Sequence, residues 1–405
     1  MNETRSLRVL SISTDRDIFR EGSDVRERMK DLGSITEELH IIVFSKGWRH
    51  FHETQVAPNV WAYPTNSLSR YFYIFGARRL AKKLFLASSE NAFSNMASRI
   101  NVITTQDPFE CGLAGYLISK MLHAPLHLQI HTDFLNDYFV SRSILNRIRV
   151  VIAKFLIRER VDIRVVSERI KVSILKKISF GKKHFPRIIV LPVFVDTDRF
   201  KNEPESRLLS QKYPGHDLLA LVVSRLEKEK NVSLALRLVA EAKVRSPESH
   251  IGLVLAGSGS EEKSLRALAK ELRISDRVFF EGQIADLAPY YKSADVLLVT
   301  SHYEGYGRMF LEAFVAGCPV ITHDVGAAKE ILGHWNGMVC EENDEMCMLH
   351  NLVLFSGNPL MLQQLKNSAL TSAKRFVSKT KEEYLREYKE MLLQAGTQEE
   401  FFSTY

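Results

Sequence analysis

Nowhere in its 405 residues does the chain hold an apolar run of the 18 or more residues that a membrane-spanning helix needs. The opening stretch MNETRSLRVLSIS also lacks the long apolar core of a secretory signal, because charges flank a short apolar segment. Cysteine is scarce: Cys111, Cys318, Cys340 and Cys347 are the only four, none in a pair with metal-ligand spacing and none beside a histidine cluster. There is no short internal repeat and no low-complexity tract. These absences exclude a transmembrane protein, a zinc module, a disulfide scaffold and a solenoid. The expectation is a soluble, cytoplasmic protein in a reduced compartment, with each cysteine a packing residue.

What is present is ordinary globular material, 45% hydrophobic and 25% charged, enough for two or three domains. The net charge of +7 is unevenly spread. Residues 1–195 hold 30 Lys+Arg against 18 Asp+Glu, a net of +12, and the remainder holds 25 against 30, a net of −5. A basic half and a mildly acidic half imply two domains with different partners, the basic one drawn to phosphate-bearing molecules.

Short apolar runs alternate with amphipathic stretches of helical length, the pattern of a parallel α/β sheet. Strands are expected at 7–13, 39–45, 101–106, 125–131, 161–167 and 187–192, with helices near 21–32, 71–87, 110–122 and 143–160. A second series has strands at 217–224, 250–257, 277–282, 294–301 and 319–324, with helices near 230–245, 260–272, 286–293 and 308–317. The polar stretch 196–216 reads as a linker. Residues 360–394 read as two helices split near Ser378.

Chemistry concentrates at three strand ends of the second series, where an open parallel sheet binds its ligands. One loop carries Arg225 and Lys230, the next Gly257 and Gly259, the third Glu304, Gly305, Tyr306 and Gly307 ahead of a helix. Arginine and lysine neutralise a diphosphate. Glycines let backbone amides approach an oxygen at a helix N-terminus. Glu304 and Glu312, eight apart, fall on one side of the entry to that helix and accept hydrogen bonds from sugar hydroxyls. Each piece alone is commonplace: most strand-end Arg and Lys residues are surface charges, and a lone GxG is usually only a turn.

Together these stretches resemble the retaining GT-B glycosyltransferases of family 4. VSRLEKEKN is similar to that family's G-R-L-x-x-x-K-N segment, AGSGSEE to its G-x-G turn, and EGYGRMFLE to its E-x7-E motif. The resemblance is dense over 215–340 and loose elsewhere. It implies two Rossmann-like domains facing a central cleft: 1–195 for the acceptor, 196–375 for the nucleotide-sugar, and a C-terminal segment, 376–405, whose helix crosses back to the first domain. It also implies roles. Arg225 and Lys230 would hold the diphosphate, Glu304 the transferred sugar with Gly305, Tyr306 and Gly307 around it, and Glu312 the ribose. HTDF resembles the family's histidine loop and would place His131 at the reacting sugar. The loop after the first strand departs from the family's Gly-Gly pattern and offers Arg16 and Gly22 on the acceptor side. Val193 and Phe194 stand where the hinge usually has Asn-Gly, and Arg308 where an apolar residue is common.

The expected activity is therefore transfer of a sugar, with retention, from a UDP- or GDP-sugar to a glycan or lipid-linked acceptor. The expected site needs no metal and no cofactor. Alternatives are another GT-B reaction such as sugar-nucleotide epimerisation or phosphorolysis, and a non-catalytic nucleotide-binding member of the fold. Nucleic-acid binding is not expected, because the basic residues do not interleave with a stacking platform. Two basic amphipathic segments stand out. In 70–86, Tyr73, Ala77, Leu80 and Leu84 share one face, with Arg78, Arg79, Lys82 and Lys83 opposite. Peripheral contact with the inner face of a membrane and packing on the sheet are equal readings there. In 142–160, Ile144, Ile148, Val151 and Phe155 share a face that is expected to pack on the sheet.

Overall fold

A computed structural model describes residues 6–86, 100–159, 161–180, 185–333, 336–375 and 379–396. The chain divides into two compact units: one from Met1–Pro192 with Lys379–Tyr405, the other Val193–Ser378. Residues 87 and 160, which end two of the expected helices, and 397–405 of the expected C-terminal tail lie outside the described residues.

In the first unit the order is β1 (Arg8–Ser13), α1 (Asp24–Gly33), β2 (Glu38–Val43), β3 (Thr54–Ala57), β4 (Val60–Pro64), α2 (Tyr73–Phe85), β5 (Val102–Thr105), α3 (Glu110–Leu122), β6 (Leu126–Ile130), α4 (Asp137–Ser141), α5 (Ile144–Arg158), β7 (Asp162–Val165), α6 (Glu168–Lys177) and β8 (Arg187–Val190). The sheet runs β3-β4-β2-β1-β5-β6-β7-β8. All neighbours are parallel except the hairpin β3–β4. Strand order therefore reverses between β1 and β5. Right-handed crossovers put α2, α3 and α5 on one face and α1 on the other.

The second unit begins with α7 (Asp198–Asn202) and α8 (Leu208–Lys212). It continues β9 (Leu218–Val223), α9 (Val232–Arg245), β10 (Ile251–Ala256), α10 (Glu262–Glu271), β11 (Val278–Gly282), α11 (Ala288–Ser293), β12 (Val296–Val299), α12 (Arg308–Ala316), β13 (Val320–His323), α13 (Ala328–Ile331), β14 (Gly337–Cys340), α14 (Glu345–Gly357) and α15 (Pro359–Arg375). Its sheet, β11-β10-β9-β12-β13-β14, is parallel throughout and reverses between β9 and β12. Strands β10, β12 and β13 are buried at every position, as a sheet covered on both faces requires.

Three expectations are corrected. Segment 196–216 is no linker: Phe200 and Leu209 are buried in the core of the second unit. A polar stretch with two apolar anchors at helical positions folds onto the sheet because those anchors have a place to go.

The α5 face is inverted. Asn146, Val150, Ala153, Leu156 and Ile157 face inward, whereas Ile144, Ile148, Val151 and Phe155 are exposed. The helix carries two apolar stripes, and the one holding Ala153 lets it approach the sheet.

Cys340 and Cys347, read as unpaired, form a disulfide. The turn after β14 returns the first turn of α14 until the Cα atoms are 5.8 Å apart, within bridging distance. This removes the ground for inferring a reducing compartment from cysteine usage. Cys111 and Cys318 are buried and unbridged.

The last helix, α16 (Lys381–Ala395), starts at a capping box made by Thr380 and Glu383 and belongs to the first unit. Its Tyr388, Met391, Leu392 and Ala395 share a core with Val9 of β1 and Leu39 of β2. A buried arginine secures it. Arg164 donates to the Leu191 and Pro192 carbonyls (2.8 and 2.9 Å), to Gln129 (2.8 Å) and to the Tyr384 hydroxyl (3.0 Å). A charge taken out of water persists only when its donors are satisfied in this way. No helix among the described residues is long and apolar enough to cross a membrane.

Candidate functional site

The loops after β9 and β12, on either side of the strand-order reversal in the second unit, are tied together. The His302 amide donates to the Glu229 carbonyl (2.9 Å) and the Thr300 hydroxyl to that of Asn231 (2.9 Å). Asn231 holds φ at 46°, which turns the chain from the short 3-10 segment Lys228–Lys230 into α9. That turn aims Lys230 at the third loop. Its ammonium donates to Glu304 Oε1 at 2.6 Å, and the Ser301 hydroxyl donates to the same oxygen at 2.8 Å. Lys230 and Glu304 are both nearly buried, so water screens their attraction weakly. Arg225 stands apart: its side chain is 71% exposed and pairs with the largely buried Glu229 at 3.1 Å.

Glu304, Gly305 and Tyr306 lead into α12, whose nine residues lie between Gly307 and Gly317, both left-handed. The helix N-terminus thus opens beside the Lys230–Glu304 pair and favours negative charge there. One turn deeper, Glu312 is buried. Tyr291 of α11 donates to its Oε2 at 2.9 Å, and Arg308 lies 3.5 Å from its Oε1. Burial raises the Glu312 carboxyl above its ordinary range, while Arg308 and the Tyr291 hydroxyl pull it back. The Tyr306 carbonyl accepts from the Ala327 amide at 2.9 Å, and burial pushes its phenol up to about 12.

Gly257 and Gly259 are where expected but have a packing role. A Cβ on Gly257 would lie 1.8 Å from the Ser224 carbonyl oxygen, and one on Gly259 2.3 Å from that of Leu226. Backbone here meets backbone, with Leu226 donating to the Ser258 carbonyl at 2.9 Å. These glycines bring the loops after β9 and β10 together.

The structure therefore gathers Lys230, Glu304, Gly305, Tyr306, Gly307 and Glu312 at one edge, with Arg225 beside them. His131, Arg16 and Gly22 belong to the other unit. His131 ends β6, half-buried. Burial and the charges of Arg164 and Arg28 lower it to about 3, so its imidazole is neutral at ordinary pH. Arg16 donates to the Phe44 carbonyl (2.9 Å) and the Tyr73 hydroxyl (3.3 Å), bracing β2 against α2. Gly22 sits in an open turn before α1. Sequence reasoning missed Glu229, Tyr291 and Ser301. Only Ser301 had a local signal, as the residue three before Glu304.

Comparison with known proteins shows what the chain is similar to. Residues 209–370 match the family Glycosyl transferases group 1. Alpha-monoglucosyldiacylglycerol synthase of Streptococcus pneumoniae is 33% identical over 263 residues, 62% of this chain and 57% of that protein. A GDP-mannose-dependent alpha-(1-6)-phosphatidylinositol monomannoside mannosyltransferase of Mycobacterium tuberculosis is 34% identical over 155 residues, 36% of this chain and 40% of its own. The matched stretches thus span about half of these relatives or less. Among solved structures, sucrose-phosphate synthase of Thermosynechococcus elongatus superposes with a TM-score of 0.73 at 17% identity, covering 96% of this chain and 98% of the other. Anabaena HepE with UDP superposes with a TM-score of 0.69 at 15% identity, covering 96% and 100%. The two α/β units thus have the GT-B fold, and residues 209–370 are similar to the group 1 glycosyl transferases.

Proposed function

We propose that the protein transfers a sugar from a UDP- or GDP-sugar to a glycan or lipid-linked acceptor, with retention of configuration. The observation that carries this reading is the convergence of Lys230, Ser301 and Glu304 at the mouth of α12, with Glu312 held behind them. A nucleotide-sugar has matching parts. Its diphosphate meets Lys230, Arg225 and the positive end of the helix, which stabilise the departing charge. Its ribose hydroxyls donate to Glu312, and its sugar hydroxyls to Glu304. The bond from the anomeric carbon to the diphosphate oxygen breaks as the acceptor oxygen attacks the same face, and the departing phosphate oxygen takes the acceptor's proton. No step in this reading needs a metal or a cofactor. The relatives' names support it: one is a glucosyldiacylglycerol synthase, another is GDP-mannose-dependent, and HepE was solved with UDP.

The test is thermal stabilisation by a panel of nucleotides and nucleotide-sugars, on wild type and on Arg225→Ala with Lys230→Ala. A ligand at a hundredfold excess over its dissociation constant adds about 2.7 kcal/mol of stability. A shift with one nucleoside diphosphate family, lost in the double variant, supports the site and names the base. No shift with any nucleotide sinks it.

A further inference from the structure

Among its described residues the first unit exposes a broad apolar and basic surface on the side of the sheet opposite α16. Packing of α3 against both α2 and α5 makes these three helices one layer. Two cross-links bind that layer: Arg149 of α5 bonds Glu110 of α3 at 3.0 Å, and Phe155 of α5 meets Tyr116 of α3 edge-on at 5.5 Å. The outward stripe of α5 is exposed, with Ile144 at 76% and Val151 at 67%. At the rim of the same layer, where α2 begins, Tyr71 is 73% exposed, Phe75 67% and Leu68 91%, and Trp48 in the loop after β2 is 66% exposed. Soluble surfaces scatter such residues singly; a cluster rich in aromatics marks a surface that meets something.

Charge says what it meets. Helix α2 carries Arg78, Arg79, Lys82 and Lys83, and α5 carries Arg147, Arg149, Lys154 and Arg158; neither holds a single Asp or Glu. Two like faces of this kind repel one another, which disfavours a second copy as the occupant. Apolar stripes with aromatic side chains, flanked by long basic side chains, fit the headgroup boundary of an anionic bilayer.

We propose that the outer face of α2 and α5, with Leu68, Tyr71 and Trp48 at its rim, docks the protein on an anionic membrane surface. Apolar side chains enter the headgroup boundary while Arg and Lys reach the phosphates. The docking does not depend on the donor-site reading, and none of its residues belongs to that site.

The test is co-flotation of the full chain with phosphatidylcholine vesicles, with and without a third of phosphatidylglycerol, at low and high salt. Two variants are compared: Arg78→Glu with Arg79→Glu, and Phe75→Ser with Val151→Ser. All four positions are exposed, and unchanged circular dichroism and unfolding temperature show that the fold is kept. The expected result is binding to anionic vesicles only, abolished by high salt and weakened about tenfold or more in both variants. Absence of binding to anionic vesicles overturns the proposal, as does binding that neither variant weakens. A vesicle-free dimer that Phe75→Ser with Val151→Ser converts to monomer also overturns it, assigning the face to self-association.

Discussion

The two units share a doubly wound architecture and differ in what they bury and what they expose. The first buries His40, His127 and Arg164 in its strands, with His131 half-buried just after β6; the second buries Glu229, Glu304 and Glu312 at one sheet edge. Thirteen of the sixteen large apolar side chains exposed among the described residues belong to the first unit, and most of these lie on or beside α2 and α5. On the readings proposed above, one scaffold is turned outward, toward a surface, and the other inward, toward a small polar ligand. Similarity of fold could not have distinguished these uses, because function resides in side chains grafted on the scaffold.

Acid separates the units with the largest expected effect. Burial holds His40 at about 4 and His127 and His131 at about 3, so the fold refuses protons that the unfolded chain accepts from about pH 6.5 downward. The unfolded state then binds more protons, and stability falls with pH by about 1.4 kcal/mol per pH unit for each such histidine. This loss begins below pH 6.5 and runs to about pH 4 for His40 and to about pH 3 for His127 and His131. Burial lowers His302 and His323 of the second unit as well, but less far; the raised carboxyls of Asp107 and Asp133 in the first unit, and of Glu312 in the second, carry the opposite sign, since a fold that keeps their protons gains stability as pH falls. Hydrogen exchange from pH 7 to 4.5 should show protection lost first in β1, β5 and β6, with β9 and β10 persisting. Simultaneous loss in both units would break the contrast.

Lys230→Met comes next. It strands the Glu304 carboxylate, nearly buried and left, among the described residues, with the Ser301 hydroxyl. Removing one partner of such a pair costs about 3–5 kcal/mol. Nucleotide binding should fall by two orders of magnitude or more while vesicle binding persists, and Phe75→Ser with Val151→Ser should do the reverse. Calorimetry and flotation on the same preparations decide it.

Gly259→Ala follows. The added Cβ meets the backbone of Leu226 at 2.3–2.7 Å, which no side-chain rotation relieves. About 2–3 kcal/mol of stability should be lost, read as a lower unfolding temperature, with exchange rising at 224–230 and not in the first unit.

Much of this was legible beforehand. The central strands were read to within two residues at most ends, because buried parallel strands are continuous aliphatic runs. The convergence of the loops after β9, β10 and β12 was legible because glycine, arginine and glutamate fall at strand ends. The rest was hidden for physical reasons. Strands β3, β4 and β14 are no shorter than others that were read, but TQVA, VWAYP and GMVC lack a continuous aliphatic run. Helix α5 offers two apolar stripes, and the choice between them is made by the sheet. Tyr291 lies 21 residues from Glu312 and meets it only through the fold. The disulfide likewise depends on a reversal after β14 that seven residues of spacing do not announce.

The smallest expected effect tests how finely the second unit is tuned. In the proposed reading Glu312 must be ionised to accept from both ribose hydroxyls, yet burial favours its protonated form. Nucleotide affinity should therefore fall as pH drops through the raised carboxyl value. Arg308, 3.5 Å from Oε1, opposes that rise, but its side chain is 59% exposed and water screens it. Arg308→Leu should accordingly weaken nucleoside diphosphate binding only about fivefold near neutrality, on the scale of about 1 kcal/mol for an exposed pair. It should also move the acid midpoint of binding upward, whereas Arg308→Lys should leave that midpoint near wild type. Glu312→Gln should flatten this acid limb at a lower overall affinity, because the amide does not titrate in this range. His131, already neutral over the same interval, adds no inflection. An unmoved midpoint in Arg308→Leu would mean that Tyr291 alone sets the charge on Glu312, and that Arg308 answers to something other than that carboxylate.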